Sequence, residues 1–183
     1  HIKDSQDRDW QRATIQLDFQ IPERMLPEYI DRDGKPKRPV IVHRAILGSL
    51  ERFIGIILEH YQGNLPLWLS PVQVAILPVS NKVEDYAREV YLQIKKAGLR
   101  VELDMSDKPI GAKIREAALQ KIPMMCIIGE KEQARFASEA RRVQATVGSG
   151  FFVSVRTRSG DDLGIQKLDA FLERVKKDIE KKK

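Results

Sequence analysis

The nine residues Val72–Ser80, VQVAILPVS, are apolar on nearly every position. A strand that is apolar on both faces belongs inside a sheet covered by helices on each side, so this run predicts an α/β arrangement. The chain downstream supports that reading. KVEDYAREVYLQIKKAG (82–98) sets Val83, Tyr86, Val90 and Ile94 on one helical stripe, and Gly98 sits where a helix-terminating glycine belongs. LRVELDM (99–105) reads as the next strand. IGAKIREAALQKI (110–122) reads as a helix with Ile110, Ile114 and Ala118 inward, stopped by Pro123. MMCIIG (124–129) predicts a central strand and GFFVSVRTRSG (150–160) another. LGIQKLDAFLERVKKDIEKK (163–182) predicts a closing helix with Leu168, Leu172, Val175 and Ile179 inward. Alternating strands and helices of this kind build a mixed-sheet α/β domain. The intervening KEQARFASEARRVQATVGSG (131–150) is charged and rich in small residues. It reads either as an exposed helix with a glycine-rich return or as an insertion that contacts nucleic acid.

Upstream the rhythm differs. Gly63, Asn64, Pro66 and Pro71 mark a change of direction and a domain boundary, placed at residues 68/69. RATIQLDFQIP (12–22) alternates, with Ile15, Leu17 and Phe19 on one face and Thr14, Gln16 and Asp18 on the other. That is a strand with a polar face turned toward something worth contacting. Asp33-Gly34 predicts a tight reversal, and PVIVH (39–43) reads as a second short strand of one antiparallel sheet. The stretch VIVHRAILGSLERFIGIILEH (40–60) as a whole reads as a buried helix, although it carries His43, Arg44, Glu51 and Arg52.

The composition of the 183 residues, 42% hydrophobic and 32% charged, describes a soluble globular protein. No run is apolar enough to span a membrane, and no secretory signal opens the chain. The first residues, HIKDSQ, lack an initiator methionine and read as cut from something longer. Cys126 is the single cysteine and reads as a small core residue of a reducing compartment. The net charge of +6 suits a polyanion partner without requiring one.

The motifs CxxC, HExxH, GxSxG and GxxxxGK[ST] are absent. No second His or Cys stands at metal-ligand spacing from His43, so a zinc site made wholly within this chain is not expected. A buried arginine needs an anionic partner, because an unpaired one costs several kcal/mol. On one helix, Arg44 and Arg52 stand about 80° apart around the axis. One can pair with Glu51 or another carboxylate, while the other is free for a phosphate, which a planar guanidinium suits. Small Gly48 and Ser49 leave room for a ligand to approach. Further on, Lys108, Lys113 and Arg115 cluster at a helix start, and Arg156 and Arg158 share a strand face. These basic groups suit phosphates and base edges, or else a salt-bridged surface with Glu116, Asp161 and Asp162.

The blocks WQRATIQLDFQIPERM (10–25), RPVIVHRAILGSLERFIGIILEHYQGNLPLWLSPVQV (38–74), KPIGAKIREAALQKIP (108–123) and VRTRSGDDLG (155–164) together resemble the carboxyl-terminal part of threonyl-tRNA synthetases. The resemblance covers nearly the whole chain. HRAILGSLERF (43–53) resembles the motif 3 helix of class II aminoacyl-tRNA synthetases in its threonyl version, and VRTRSGDDLG resembles their anticodon-binding domain. It implies an α/β chain: an antiparallel-sheet fragment of the class II catalytic core in residues 1–68, with the motif 3 helix at about 43–62, then a mixed-sheet anticodon-binding domain in 69–183.

The resemblance also implies roles. His43 matches the family's zinc ligand, and Arg52 its catalytic, ATP-stacking arginine. Gln11 matches the glutamine near the nucleotide, and Gln16 one lining the aminoacyl pocket. Asp107, Lys108, Arg115, Glu132 and Arg156 match positions at the anticodon. The implied parent is a threonine–tRNA ligase using threonine, ATP with magnesium and zinc, cytoplasmic and homodimeric, with threonine tRNA as partner and no membrane association. Motif 1, motif 2, the other zinc ligands and the editing domain lie upstream in the family, so this segment by itself is expected to be catalytically incompetent. The alternative is a free-standing RNA-binding module related to the synthetase. Two departures stand out: WQRA places Arg12 and Ala13 beside the pocket, and residues 133–150 are longer than the family's usual hairpin.

Overall fold

In the computed structural model, backbone is described for residues 1–143 and 150–182 and side chains for 1–139 and 150–182. The chain divides into two compact units, His1–Gly63 and Asn64–Lys183. The boundary falls a few residues before the one expected from sequence, because Asn64–Ser70 is held by the second unit. Arg158 Nη1 donates to Leu65 O at 2.8 Å and Nη2 to Asn64 O at 3.1 Å. Arg100 donates to Trp68 O and Ser70 O, and Leu67 is buried in the core.

The first unit runs β1 (Ile2–Lys3), β2 (Asp9–Trp10), β3 (Thr14–Asp18), α1 (Gln20–Met25), β4 (Tyr29–Ile30), β5 (Pro36–Lys37), β6 (Ile41–Ala45) and α2 (Leu50–His60). Its strands form three separate two-stranded antiparallel ladders rather than the single sheet expected. The Asp33-Gly34 reversal is present, with Gly34 at φ +74° and its N–H donating to Asp31 O.

The helix expected over Val40–His60 is corrected. Its first part is strand β6, and the helix begins only at Leu50. Gly48, at φ +66°, breaks the run, a conformation that costs glycine little, and Ser49 caps the helix that follows. The stretch is not wholly buried either: in α2 only Ile56 is buried. Arg44 and Arg52 therefore lie on different elements, and the angle assigned to them on one helix does not apply.

The second unit continues with β7 (Val74–Pro78), a 3-10 turn (Asn81–Val83), α3 (Glu84–Lys96), β8 (Val101–Leu103), α4 (Ile110–Leu119), β9 (Met124–Ile128), α5 (Glu130–Val143), β10 (Phe152–Thr157), β11 (Asp162–Lys167) and α6 (Leu168–Glu180). One mixed sheet has the order β11-β10-β9-β7-β8, with β7, β8 and β9 parallel and β10 antiparallel to both its neighbours. All five residues of β7 are buried, as its composition predicts. Residues Leu163–Lys167, expected to open the last helix, belong instead to strand β11, because β10 offers them a backbone ladder.

On one face of the sheet, Val74, Ile76, Cys126 and Val153 pack against α3 and α6. Phe136 of α5 joins that face and stacks on Phe151 with centroids 4.7 Å apart. Tyr86 ties the layer shut: its hydroxyl donates to Phe152 O and accepts the Phe152 N–H. Burial pushes its phenol up to about 12. On the other face α4 alone covers Ala75, Leu77 and Met125. The rest of that face, at β9 and β10, carries the partly buried Ile127, Ser154 and Arg156.

Candidate nucleic-acid and nucleotide sites

In the first unit the antiparallel register of β3 and β6 sets Gln16 directly opposite His43. Directly opposed residues share a sheet face, so two residues singled out separately in sequence are brought side by side. They line one open cavity with Asp18, Phe19 and Gln20. His43 Nε2 lies 2.9 Å from Asp18 Oδ2, while Asp18 Oδ1 accepts the N–H groups of Gln20 and Ile21. The Ile21 amide, and then the His43 ring, hold the Asp18 carboxyl below the usual carboxylate range. A carboxylate fixing one imidazole nitrogen leaves the other available, which is the usual support of a metal-ligating histidine. Asp18 was legible only as part of a polar strand face; its place two residues from Gln16 was the available signal. Among the described residues no group of three His, Cys, Asp or Glu side chains converges. The arrangement leaves His43 with one ring nitrogen open to a metal.

In the same unit, Trp10 anchors a cluster of guanidinium groups. Asp4 accepts from the indole Nε1 at 2.8 Å and from Arg8 Nε at 2.7 Å, and its carboxyl is held far below the usual range, chiefly by the indole. Arg52, in the first turn of α2, has its guanidinium carbon 5.2 Å from the centroid of the Trp10 ring. Gln11, the chain neighbour of Trp10, is exposed. Nothing in the sequence pattern pointed to Trp10, because an isolated aromatic in a short strand reads as core.

In the second unit, Asp107 and Glu132 follow the carboxyl ends of β8 and β9, and Arg156 lies on the face of β10 shared with Ser154. Glu132, in the first turn of α5, is buried and accepts the Gly129 N–H at 2.9 Å. Gly129 makes room for this, since a Cβ there would come within 3.1 Å of Glu132 Oε2. Glu132 shares a cavity with Val79, Ser80, Ile127 and Ser154. Arg156 lies two residues along β10 from Ser154, on the same face. Asp107 accepts from Asn81 Nδ2 at 3.4 Å, and Asn81 adjoins Ser80 of that cavity. The result is a partly apolar floor at Ile127 with polar groups around it, open to solvent. A surface of this kind can take an unstacked base and hydrogen-bond its edge.

Other basic residues separate from this group. Arg115 is exposed on α4. The Lys108 ammonium is engaged by both Glu116 oxygens at 2.7 Å, and Glu116 raises its pKa. Lys113, read in sequence as part of a surface cluster, is buried and donates to Pro78 O and Asp104 O, pinning the ends of β7 and β8 together. Arg158 is not on the strand face with Arg156; it clamps the linking peptide. Both corrections have one cause: main-chain carbonyls, invisible in a sequence pattern, can take up a cation.

Comparison with known proteins identifies the family and the fold. The family model described as Anticodon binding domain matches residues 73–178, and that described as tRNA synthetase class II core domain (G, H, P, S and T) matches 1–61. A threonine–tRNA ligase of Caldanaerobacter subterraneus is 50% identical over 179 residues, and one of Francisella tularensis is 44% identical over 182. These alignments take in 98% and 100% of the chain but 26% of each relative, so the chain spans about a quarter of their length. Among solved structures, the RNA binding domain of threonyl-tRNA synthetase from Cryptosporidium parvum superposes with a TM-score of 0.75 at 37% identity. That alignment covers 96% of this chain and 41% of that one. Prolyl-tRNA synthetase of the same organism, at 21% identity and a TM-score of 0.62 over 93% of this chain and 34% of that one, shares the fold. With its family model matched across the whole mixed sheet, the chain belongs to the anticodon-binding domain family, carried here behind a segment of the class II tRNA synthetase core.

Proposed function

We propose that this chain is the portion of a threonine–tRNA ligase that reads the anticodon of threonine tRNA and contributes motif 3 to the site where ATP activates threonine. The observation that carries the reading is the part of the second unit's sheet face at β9 and β10 that no helix covers among the described residues, where Glu132 and Ser154 share a cavity and Arg156 lies two residues along β10 from Ser154. Arg156 supplies a planar donor fork for a base edge or a phosphate, and Glu132 a carboxylate that accepts from an exocyclic amine. Asp107 borders the same region, while Lys108 and Arg115 provide positive charge on the α4 side and draw the RNA backbone in.

In the first unit, Arg52 takes the nucleotide, with Gln11 near it, and Gln16 lines the aminoacyl pocket. His43, held by Asp18, is one ligand of a zinc ion that in the family reads the threonine hydroxyl and amino groups. ATP would bring magnesium. The remaining metal ligands and the α-phosphate clamps come from elsewhere in the longer polypeptide, so this chain alone is not expected to exchange pyrophosphate into ATP. No helix of the described residues is long and apolar enough to cross a membrane. A cytoplasmic homodimer is the setting this reading assigns to the whole ligase.

The test is a binding titration of the chain with threonine tRNA and with the same tRNA carrying an exchanged anticodon triplet. Preference for the native triplet, weakening as salt rises through counterion release, is the expected outcome. Equal affinity for both tRNAs would overturn the reading.

A further inference from the structure

Arg12 retains only 7% of its surface in solvent, and its Nε and Nη2 are enclosed with no acceptor among the described residues. Its guanidinium carbon lies 5.6 Å from the centroid of the Trp10 ring, with Arg52 at 5.2 Å and Arg8 at 5.8 Å. Three cations thus ring one indole. The carboxylate in contact with that indole, Asp4, is already taken by Arg8, by the indole N–H and by backbone amides. No ion pair among the described residues includes Arg12 or Arg52. Glu51, beside Arg52, accepts from the Ser49 hydroxyl instead.

The indole does not compensate for this excess of charge. A cation–π contact contributes about 0.5–2 kcal/mol, whereas enclosing an unpaired guanidinium costs several. The Gly48 turn lies against Arg12. Gly48 adopts φ +66°, and a Cβ there would lie 3.6 Å from the Arg12 carbonyl oxygen and 3.8 Å from Nη1. Arg12 is therefore held under the Gly48 turn, just ahead of the helix that carries Arg52. Among the described residues, nothing supplies the anion that would complete this arrangement.

We propose that Arg12 and Arg52 form a joint site for a polyphosphate, with Trp10 as the wall they share. Two planar forks on one indole match a ligand with several charged oxygens on linked phosphorus atoms better than a single carboxylate. The inference deepens the reading of Arg52 as the nucleotide contact. It assigns to Arg12, which departs from the family's usual residues at this position, a second grip on the phosphate chain.

The probe is inorganic pyrophosphate, with ATP and adenosine as companions. In a Trp68→Phe chain Trp10 is the remaining indole, and its emission reports directly on the two guanidiniums. Pyrophosphate and ATP should change that emission saturably. Arg12→Ala should weaken pyrophosphate binding at least about tenfold, with Arg12→Lys recovering part of it, since the loss is of a charge-assisted pair. Because Arg12→Ala can disturb the fold, the Arg12 Nε–H resonance of the parent chain gives a second measure and should shift with the same saturation. A static resonance, or Arg12→Ala binding pyrophosphate like the parent, would overturn the proposal. A response to ATP and adenosine alike that needs Arg52 but not Arg12 would sink this inference and leave the nucleotide reading intact. Pyrophosphate binding without anticodon discrimination would do the reverse.

Discussion

The two units put apolar strands to opposite ends. In the second, the sheet has helices on both sides, and Val74, Ile76, Val153 and Phe171 are fully enclosed. In the first, β3 and β6 turn Ile15, Leu17 and Val42 outward, and Ile15 is 68% and Leu17 62% exposed. These side chains are as apolar as those of the core. What differs is the number of layers, and an apolar sheet face without a second layer contributes little to stability. On the synthetase reading, the missing layer of the first unit belongs to the remainder of the catalytic core, while the second unit is self-sufficient.

That contrast can be broken by mutation. The largest effect is expected for Phe171→Ala, which empties a fully buried position and should cost about 3–5 kcal/mol in denaturant unfolding of the second unit. A loss as small as that of a surface substitution would mean that this core is not the stabilising one. Tyr86→Phe should cost about 1–3 kcal/mol at neutral pH, because it leaves the N–H and C=O of Phe152 without their partner. Its pH dependence sharpens the point. A phenol raised from its usual 10 to about 12 is favoured neutral in the fold. Its contribution is complete below pH 10 and lost as pH rises toward 12. The gap between parent and Tyr86→Phe should therefore narrow over that interval.

Arg156→Ala should weaken threonine-tRNA binding by about 1–3 kcal/mol while leaving the unfolding midpoint nearly unchanged, as expected of a contact to a base edge. Unaltered affinity at moderate salt would take Arg156 out of the interface. The smallest effect belongs to the first unit. Leu17→Ser, at an exposed position, should change stability by no more than about 0.5 kcal/mol in this chain. A cost like that of Phe171→Ala would show that the β3 face is covered after all.

The same contrast decides what could be read in advance. Val74–Pro78 was legible because a continuous apolar run between turn residues has one stable home, and Gly98 because a helix end asks for φ near the observed +87°. Val40–His60 was misread because short apolar runs do not distinguish strand from helix. Only the partner strand β3 makes Ile41–Ala45 extended. Strand β11 escaped for the same reason, since Asp162–Lys167 includes Gly164 and has no clear alternation. Within the sites, Gln16, His43, Glu132 and Arg156 were singled out one at a time. Their grouping depends on register and on which part of a sheet face no described helix covers, and these are properties of the tertiary structure. Lys113 was misplaced because burial against carbonyl oxygens leaves no mark on residue type.

The clamp of Arg158 and Arg100 on the carbonyls of Asn64, Leu65, Trp68 and Ser70 bears on how such modules can be exchanged between genes. A crossover after Ser70 would separate both arginines from the oxygens they bind and hand the recipient a flawed domain. One at Gly63 would carry the tether along with its fasteners, which makes that glycine the natural seam for recombination.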